Sequence, residues 1–181
     1  MNGDKNQEKV FIKDPENMLK GDMAQSLVEN LLRGAGNQVY RFGYESILQN
    51  LTQVNKVFDR YSDVGEQIRS IPDFLIVNKD GKPFLVEVKF RWQPVWHNDD
   101  FKKMERIDHF WKAKIIFVNC SEKPYFRISE PPYIDEQKKL ISKPLFEDTN
   151  FGLKDSAIES GMFDNLVEKY LSVTLNKNKT K

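Results

Sequence analysis

The chain has 181 residues, 39% of them hydrophobic, and a formal net charge of +1 at pH 7. That length supports one domain with a sizeable core. The near-neutral charge argues against a protein that coats nucleic acid non-specifically, so any nucleic-acid contact has to rest on local clusters. Mean hydropathy is −0.62, and no apolar run is long enough to span a bilayer. The opening Met1-Asn2-Gly3-Asp4-Lys5 lacks the apolar stretch of a secretory signal. Cys120 is the single cysteine, so no intramolecular disulfide forms. It closes an apolar run, where a buried, inert thiol is expected. These features point to a cytoplasmic protein with no membrane partner.

Residues 1–17 are expected to be an N-terminal extension in which only Val10-Phe11-Ile12 docks, and 18–175 a single domain. The apolar-free stretch 176–181 is expected to be a basic tail. From Met18 to Arg33 the residues Ala24, Leu27, Val28, Leu31 and Ala35 recur at helical spacing, and Gly34-Ala35-Gly36 is a stop signal. Gln38–Gly43 reads as a short strand. Glu45–Phe58 reads as a helix through Ile47, Leu48, Leu51 and Val54, and Asp59–Ser70 as a loop or broken helix. Asp73–Asn78 and Phe84–Arg91 are strands by residue type and length. Asn98–Trp111 is a helix, capped by Asn98, with Asp99 and Asp100 in its first turn. Its apolar side is Phe101, Met104, Ile107, Phe110 and Trp111. Ile115–Asn119 is a continuous apolar strand of the kind buried on both faces. Tyr125–Ser129 is a further strand, ended by Pro131-Pro132, and Ser156–Leu175 is a closing helix. This order predicts an α/β fold with a central mixed sheet of four to five strands and helices on both faces.

The segment Ile71–Trp92 is the most informative. Its two strands flank Lys79-Asp80-Gly81, and a three-residue hairpin loop uses a type I turn followed by a left-handed residue. Gly81 fits that last position because it takes positive φ without steric cost. Asn78 then faces Lys82, Phe74 faces Val86, and Asp73 faces Glu87, with opposed Cβ atoms roughly 5 Å apart. Lys89, two residues beyond Glu87, emerges on the same face. A two-residue Asp80-Gly81 turn would instead set Asp73 opposite Val88. Two carboxylates that close repel each other. A divalent cation relieves the repulsion, and hard carboxylate oxygens suit Mg²⁺ or Mn²⁺. The alternative is a surface carboxylate pair with a neighbouring lysine. Against it stands the cost of placing unpartnered charge within otherwise apolar strands.

Pro72-Asp73, thirteen intervening residues and Glu87-Val88-Lys89 resemble the motif of the PD-(D/E)xK nuclease superfamily, which includes restriction endonucleases and archaeal Holliday-junction resolvases. Lys20-Gly21-Asp22-Met23-Ala24-Gln25-Ser26-Leu27-Val28-Glu29 is similar to the resolvase-like opening, a Lys-Gly pair leading into a helix with an acidic residue. The resemblance spans roughly residues 18–120 and implies a restriction endonuclease-like core. It implies that Asp73 and Glu87 bind the metal, with the Val88 carbonyl as a further ligand, and that the substrate is DNA; the residue spacing itself does not separate DNA from RNA. It implies that Lys89 orients a water or neutralises the developing phosphorane charge. Where resolvase-like members carry a glutamate, this chain has Gln25, whose amide orients a water or ligates weakly but adds no charge. Glu29, one turn on, points further towards solvent.

Arg91, Lys102, Lys103 and Arg106 are the candidate phosphate contacts, although such a helix face is more often merely solvated. Trp92, Trp96 and His97 follow the motif strand, where aromatic packing and base stacking are both open. His97 and His109 have no companion ligands at zinc spacing. Three readings stand: a metal-dependent DNA nuclease, a non-catalytic module of the same fold that binds nucleic acid or a protein, and an ion-pair network in which Lys89 simply bridges Glu87 or Asp73. A homodimer would suit double-strand cleavage.

Overall fold

The computed structural model of the chain describes residues 15–43, 59, 61–156 and 158–173. The docking of Val10-Phe11-Ile12, the helix expected over Glu45–Phe58 and the basic tail lie outside the described residues. Helix α1 (Pro15–Gly34) begins inside the expected extension, because Pro15 supplies a preset φ at the first helical position. It ends as the glycines predict: Gly36 has φ +86°, and its N–H donates to the Arg33 carbonyl at 2.8 Å. Strand β1 (Gln38–Arg41) stops two residues short of the expected Gly43. The N–H groups of Phe42 and Gly43 turn instead onto the Asp73 carbonyl, at 2.8 and 3.1 Å.

Helix α2 (Asp63–Arg69) occupies the stretch read as a loop or broken helix, with Ser62 Oγ accepting the Gly65 N–H. Strands β2 (Phe74–Val77) and β3 (Pro83–Arg91) form the hairpin. Helix α3 (Asn98–Trp111) has the expected bounds, but its N-cap is His97, not Asn98. Asp100 reaches back to accept the His97 N–H at 3.2 Å. Strands β4 (Lys114–Asn119), β5 (Phe126–Ser129) and β6 (Lys143–Pro144) complete the sheet. Helix α4 (Ser160–Leu166) runs into a π turn over Val167–Leu171. The expected start at Ser156 is wrong by four residues, since Ser156 is held in a turn by its N–H bond to the Leu153 carbonyl.

Among the described residues the sheet has six strands in sequential order, not the four to five expected. The extra strand is two residues long, and its proline weakens any strand pattern. Among these six strands only β3 and β4 pair in parallel, with α3 crossing between them; the other pairs are antiparallel. The sheet is therefore mixed, as the sequence implies. Alternation along the strands divides the core in two. Phe74, Ile76, Val86, Val88, Ile116 and Val118 pack towards α1 and α4. Ile115, Phe117 and Leu85 pack towards Met104 and Ile107 of α3. Every residue of β4 is buried, the two-faced burial that its unbroken apolar run predicts.

Candidate active site

The site begins with a register. Phe74 pairs with Val86 and Leu75 with Leu85. The Asn78 N–H bonds the Lys82 carbonyl at 3.0 Å, the Gly81 N–H bonds the Asn78 carbonyl at 2.9 Å, and Gly81 has φ +77°. This is the three-residue loop, not the two-residue one, and it brings the start of β2 against the middle of β3. The ladder proper ends at Phe74. One residue earlier, Asp73 replaces main chain with side chain: its Oδ2 accepts the Val88 N–H at 2.7 Å. Its Oδ1 accepts the Gln25 Nε2 of α1 at 3.0 Å. Gln25, not Glu29, thus meets the motif. Glu29 pairs with Arg33 and Arg41.

Glu87 is buried on the α3 side of β3, and the Lys89 ammonium, two residues on, makes an ion pair with Glu87 Oε1. Burial is the largest influence on Lys89 and pulls its pKa down. The charges of Glu87 and then Asp73 outweigh it, together with the Glu87 hydrogen bond, and the net direction is upward. Lys89 therefore keeps its proton at neutral pH, which suits a charge stabiliser rather than a general base. Nearby, burial is the main cause that pushes the Tyr133 hydroxyl up, with Asp108 and Glu87 adding to it; the hydroxyl donates to the Ala113 carbonyl and stays protonated.

Four of the expected site residues, Asp73, Glu87, Lys89 and Gln25, thus converge, with Val88 joined through its N–H. They adjoin a cleft of about 660 Å³ that opens between α1, the end of β3 and α3. Gln25 and Lys89 line it, and Asp73 and Glu87 connect to it through those two partners. The four phosphate candidates separate. Arg91 and Lys103 line the cleft, although Arg91 is paired with Asp100. Lys102 is exposed and away from the lining, and Arg106 is drawn to Glu66 of α2 at 3.3 Å. Trp92 forms a wall of the cleft, and the Lys20 ammonium sits 3.4 Å from its ring centroid.

Two participants, both within the helix opening that carries the resemblance, have no chemical role in the sequence reading. Asp22 lines the cleft, and its place three residues before Gln25, on the same helical face, was the available signal. Lys20 is 2% exposed and bonds the Leu171 and Val173 carbonyls at 2.9 and 2.8 Å. Cys120 is buried, burial raises its thiol pKa, and its Sγ lies 3.7 Å from the Trp92 carbonyl, in keeping with an inert thiol. No described helix is long and apolar enough to cross a membrane. Comparison of the chain with protein-family models, curated proteins and solved structures returns no match.

Proposed function

We propose that the chain is a metal-dependent nuclease of the PD-(D/E)xK type that hydrolyses phosphodiester bonds in DNA. The supporting observation is the convergence of Asp73, Glu87 and Lys89, with Gln25 behind Asp73, beside a cleft that also carries Arg91 and Lys103. Among the described residues no group of three or more His, Cys, Asp or Glu side chains is arranged to hold a metal ion. The donor set is therefore two carboxylates supplemented by neutral oxygens, the Val88 carbonyl and Gln25 Oε1. That set fits Mg²⁺, or Mn²⁺, which keeps several waters, better than a soft or fully caged ion. When bound, the cation supplies Lewis-acid polarisation of the phosphate and a lower water pKa.

The chain's own residues do the rest. Asp73 and Glu87 hold charge at the cleft margin, and Gln25 fixes the Asp73 carboxylate by donating to it. Lys89 neutralises Glu87 through their ion pair, and with a cation held by the carboxylates its ammonium would be placed to stabilise charge on the phosphate. Arg91 and Lys103 position the strand without reading its sequence. A homodimer of this arrangement suits cutting both strands of a duplex.

One observation favours the second reading, a module of the same fold that binds without cutting. Each Asp73 oxygen already accepts a hydrogen bond, so the carboxylate also serves to finish the β2–β3 ladder. Supercoiled, linear and branched DNA and RNA, incubated with the protein in Mg²⁺, Mn²⁺ or EDTA, separate the two. Metal-dependent cleavage that is lost in both Asp73→Ala and Lys89→Ala supports the nuclease. Binding without cleavage in either metal leaves the module.

A further inference from the structure

On the α3 side of the sheet a second cavity of about 420 Å³ opens next to the first, and Arg91 lines both. Its size is in the range of small-molecule sites. Trp96, Phe101 and Phe117 line it, with Trp96 edge-on to Phe117 at 4.6 Å between centroids. Among the described residues the charged lining is five cations, Arg91, Lys123, Arg127, Lys138 and Lys139, against one carboxylate, Glu122. Three of the cations are engaged. Arg91 pairs with Asp100, Lys123 with Asp164 and Glu168, and Arg127 bonds the hydroxyl and carbonyl of Ser142. Lys138 and Lys139 have no carboxylate partner among the described residues.

Lys138 carries a second, independent mark. The hairpin loop Asp135–Lys139 repeats, bond for bond, the loop Asn78–Lys82. In both, the first N–H donates to the fifth carbonyl, at 3.0 Å from Asn78 and 2.9 Å from Asp135. The fourth N–H returns to the first carbonyl, at 2.9 and 3.0 Å. The first side-chain Oδ1 accepts from the third and fifth N–H groups. The fourth residue is left-handed in both, Gly81 at φ +77° and Lys138 at φ +60°. Glycine takes that conformation freely and lysine does not. None of the bonds that shape the second loop uses the Lys138 side chain, so the loop itself gives no reason for lysine there. The cavity that Lys138 lines gives one.

We infer that this cavity holds a nucleotide of the substrate strand next to the point of cleavage, its base against Trp96 and its phosphate on Lys138, Lys139 and Arg91. Flat aromatic surface beside cations is the chemistry that single-stranded nucleic acid selects. The shared Arg91 makes one strand continuous across both cavities. The substrate class rests on the nuclease reading, whereas the cavity and the loop do not.

The test is binding by the full chain in EDTA, read by anisotropy of labelled hexathymidylate and hexauridylate at several salt concentrations. Either strand is expected to bind. Lys138→Gly should weaken it roughly tenfold and lower the salt slope by about one, while Tm stays level or rises because the left-handed residue is relieved. A lysine that only shapes the loop would not lower affinity while leaving Tm level or raised. Wild-type affinity in Lys138→Gly, a fall in its Tm, or displacement of the strand by inorganic phosphate as readily as by thymidine monophosphate would each overturn the inference. Lys138-dependent binding by a wild-type chain that cuts nothing in Mg²⁺ or Mn²⁺ supports the cavity and defeats the nuclease reading. Cleavage with binding indifferent to Lys138 does the reverse.

Discussion

Gln25 holds the Asp73 carboxylate with an uncharged amide. Gln25→Glu replaces that donor by a third carboxylate beside Asp73 and Glu87. In EDTA the lost charge-assisted bond costs about 1.5–3 kcal/mol, and the new repulsion adds to it. Mg²⁺ should restore the loss, so the gap in Tm between EDTA and Mg²⁺ is expected to widen relative to wild type. A gap that stays at the wild-type size would count against a cation between these carboxylates, whatever the activity. Asp148, 1% exposed, is a structural counterpart. Burial is the largest influence and pushes its pKa up. The Lys143 bond, the Asn150 N–H and side chain and the Lys114 charge together win, and the pKa is lowered. A depressed folded pKa means stability that is fully present above the ordinary carboxylate range and is lost as pH falls through the folded value. Asp148→Asn is expected to lower Tm at pH 7, on the order of 3 kcal/mol for a broken buried pair, and the difference from wild type should shrink on acidification. An equal deficit at every pH would show that packing, not charge, is what Asp148 contributes. At this scale the site was legible where alternation along a strand fixes direction, as for Glu87 and Lys89. The Lys143, Lys114 and Asp148 group was not, because those three positions meet only through β6.

Among the elements, the hairpins repay comparison. Gly81 makes the register that brings Asp73 to Val88, and a Cβ there would meet nothing within 4 Å. Gly81→Ala therefore costs only the left-handed conformation, about 1 kcal/mol, and thermal denaturation should show a shift of that size. A much larger loss would mean that the register itself had moved. This loop was readable in advance because its glycine and the apolar alternation on either side agree. The second hairpin was not, since lysine at the left-handed position conceals it and Pro131-Pro132 suggested only a break. Strand β6 is similarly invisible in a two-residue stretch that includes proline. The α3 cap was misplaced by one residue: Asn98 is the better capping residue by type, but Asp100 secures the turn from within by accepting the His97 N–H.

Across the whole molecule, the α/β class and the placing of helices on both faces follow from element order and from the apolar run Ile115–Val118 within the fully buried β4. What binds the layers is less visible in sequence. Lys20 joins α1 to the π turn through the carbonyls of Leu171 and Val173, and also pairs with Glu16 at 3.1 Å. Lys20→Met keeps the stem but leaves two carbonyls of a helix end without their donor, and should cost about 3 kcal/mol. Chemical denaturation would measure it, and a change under 1 kcal/mol would show that water replaces the ammonium there. This tie has a consequence in time. Its donor lies near the start of the described chain, and its acceptors lie 151 and 153 residues later. On a ribosome α1 and the motif hairpin emerge long before their closing partner. Until residue 173 is released, Lys20 has Glu16 in its own helix but neither of its two carbonyl acceptors. The cleft that Trp92 and Lys20 border would then set later than the motif hairpin, and a chain cut short before Leu171 would present the motif beside a Lys20 that lacks its two carbonyl acceptors.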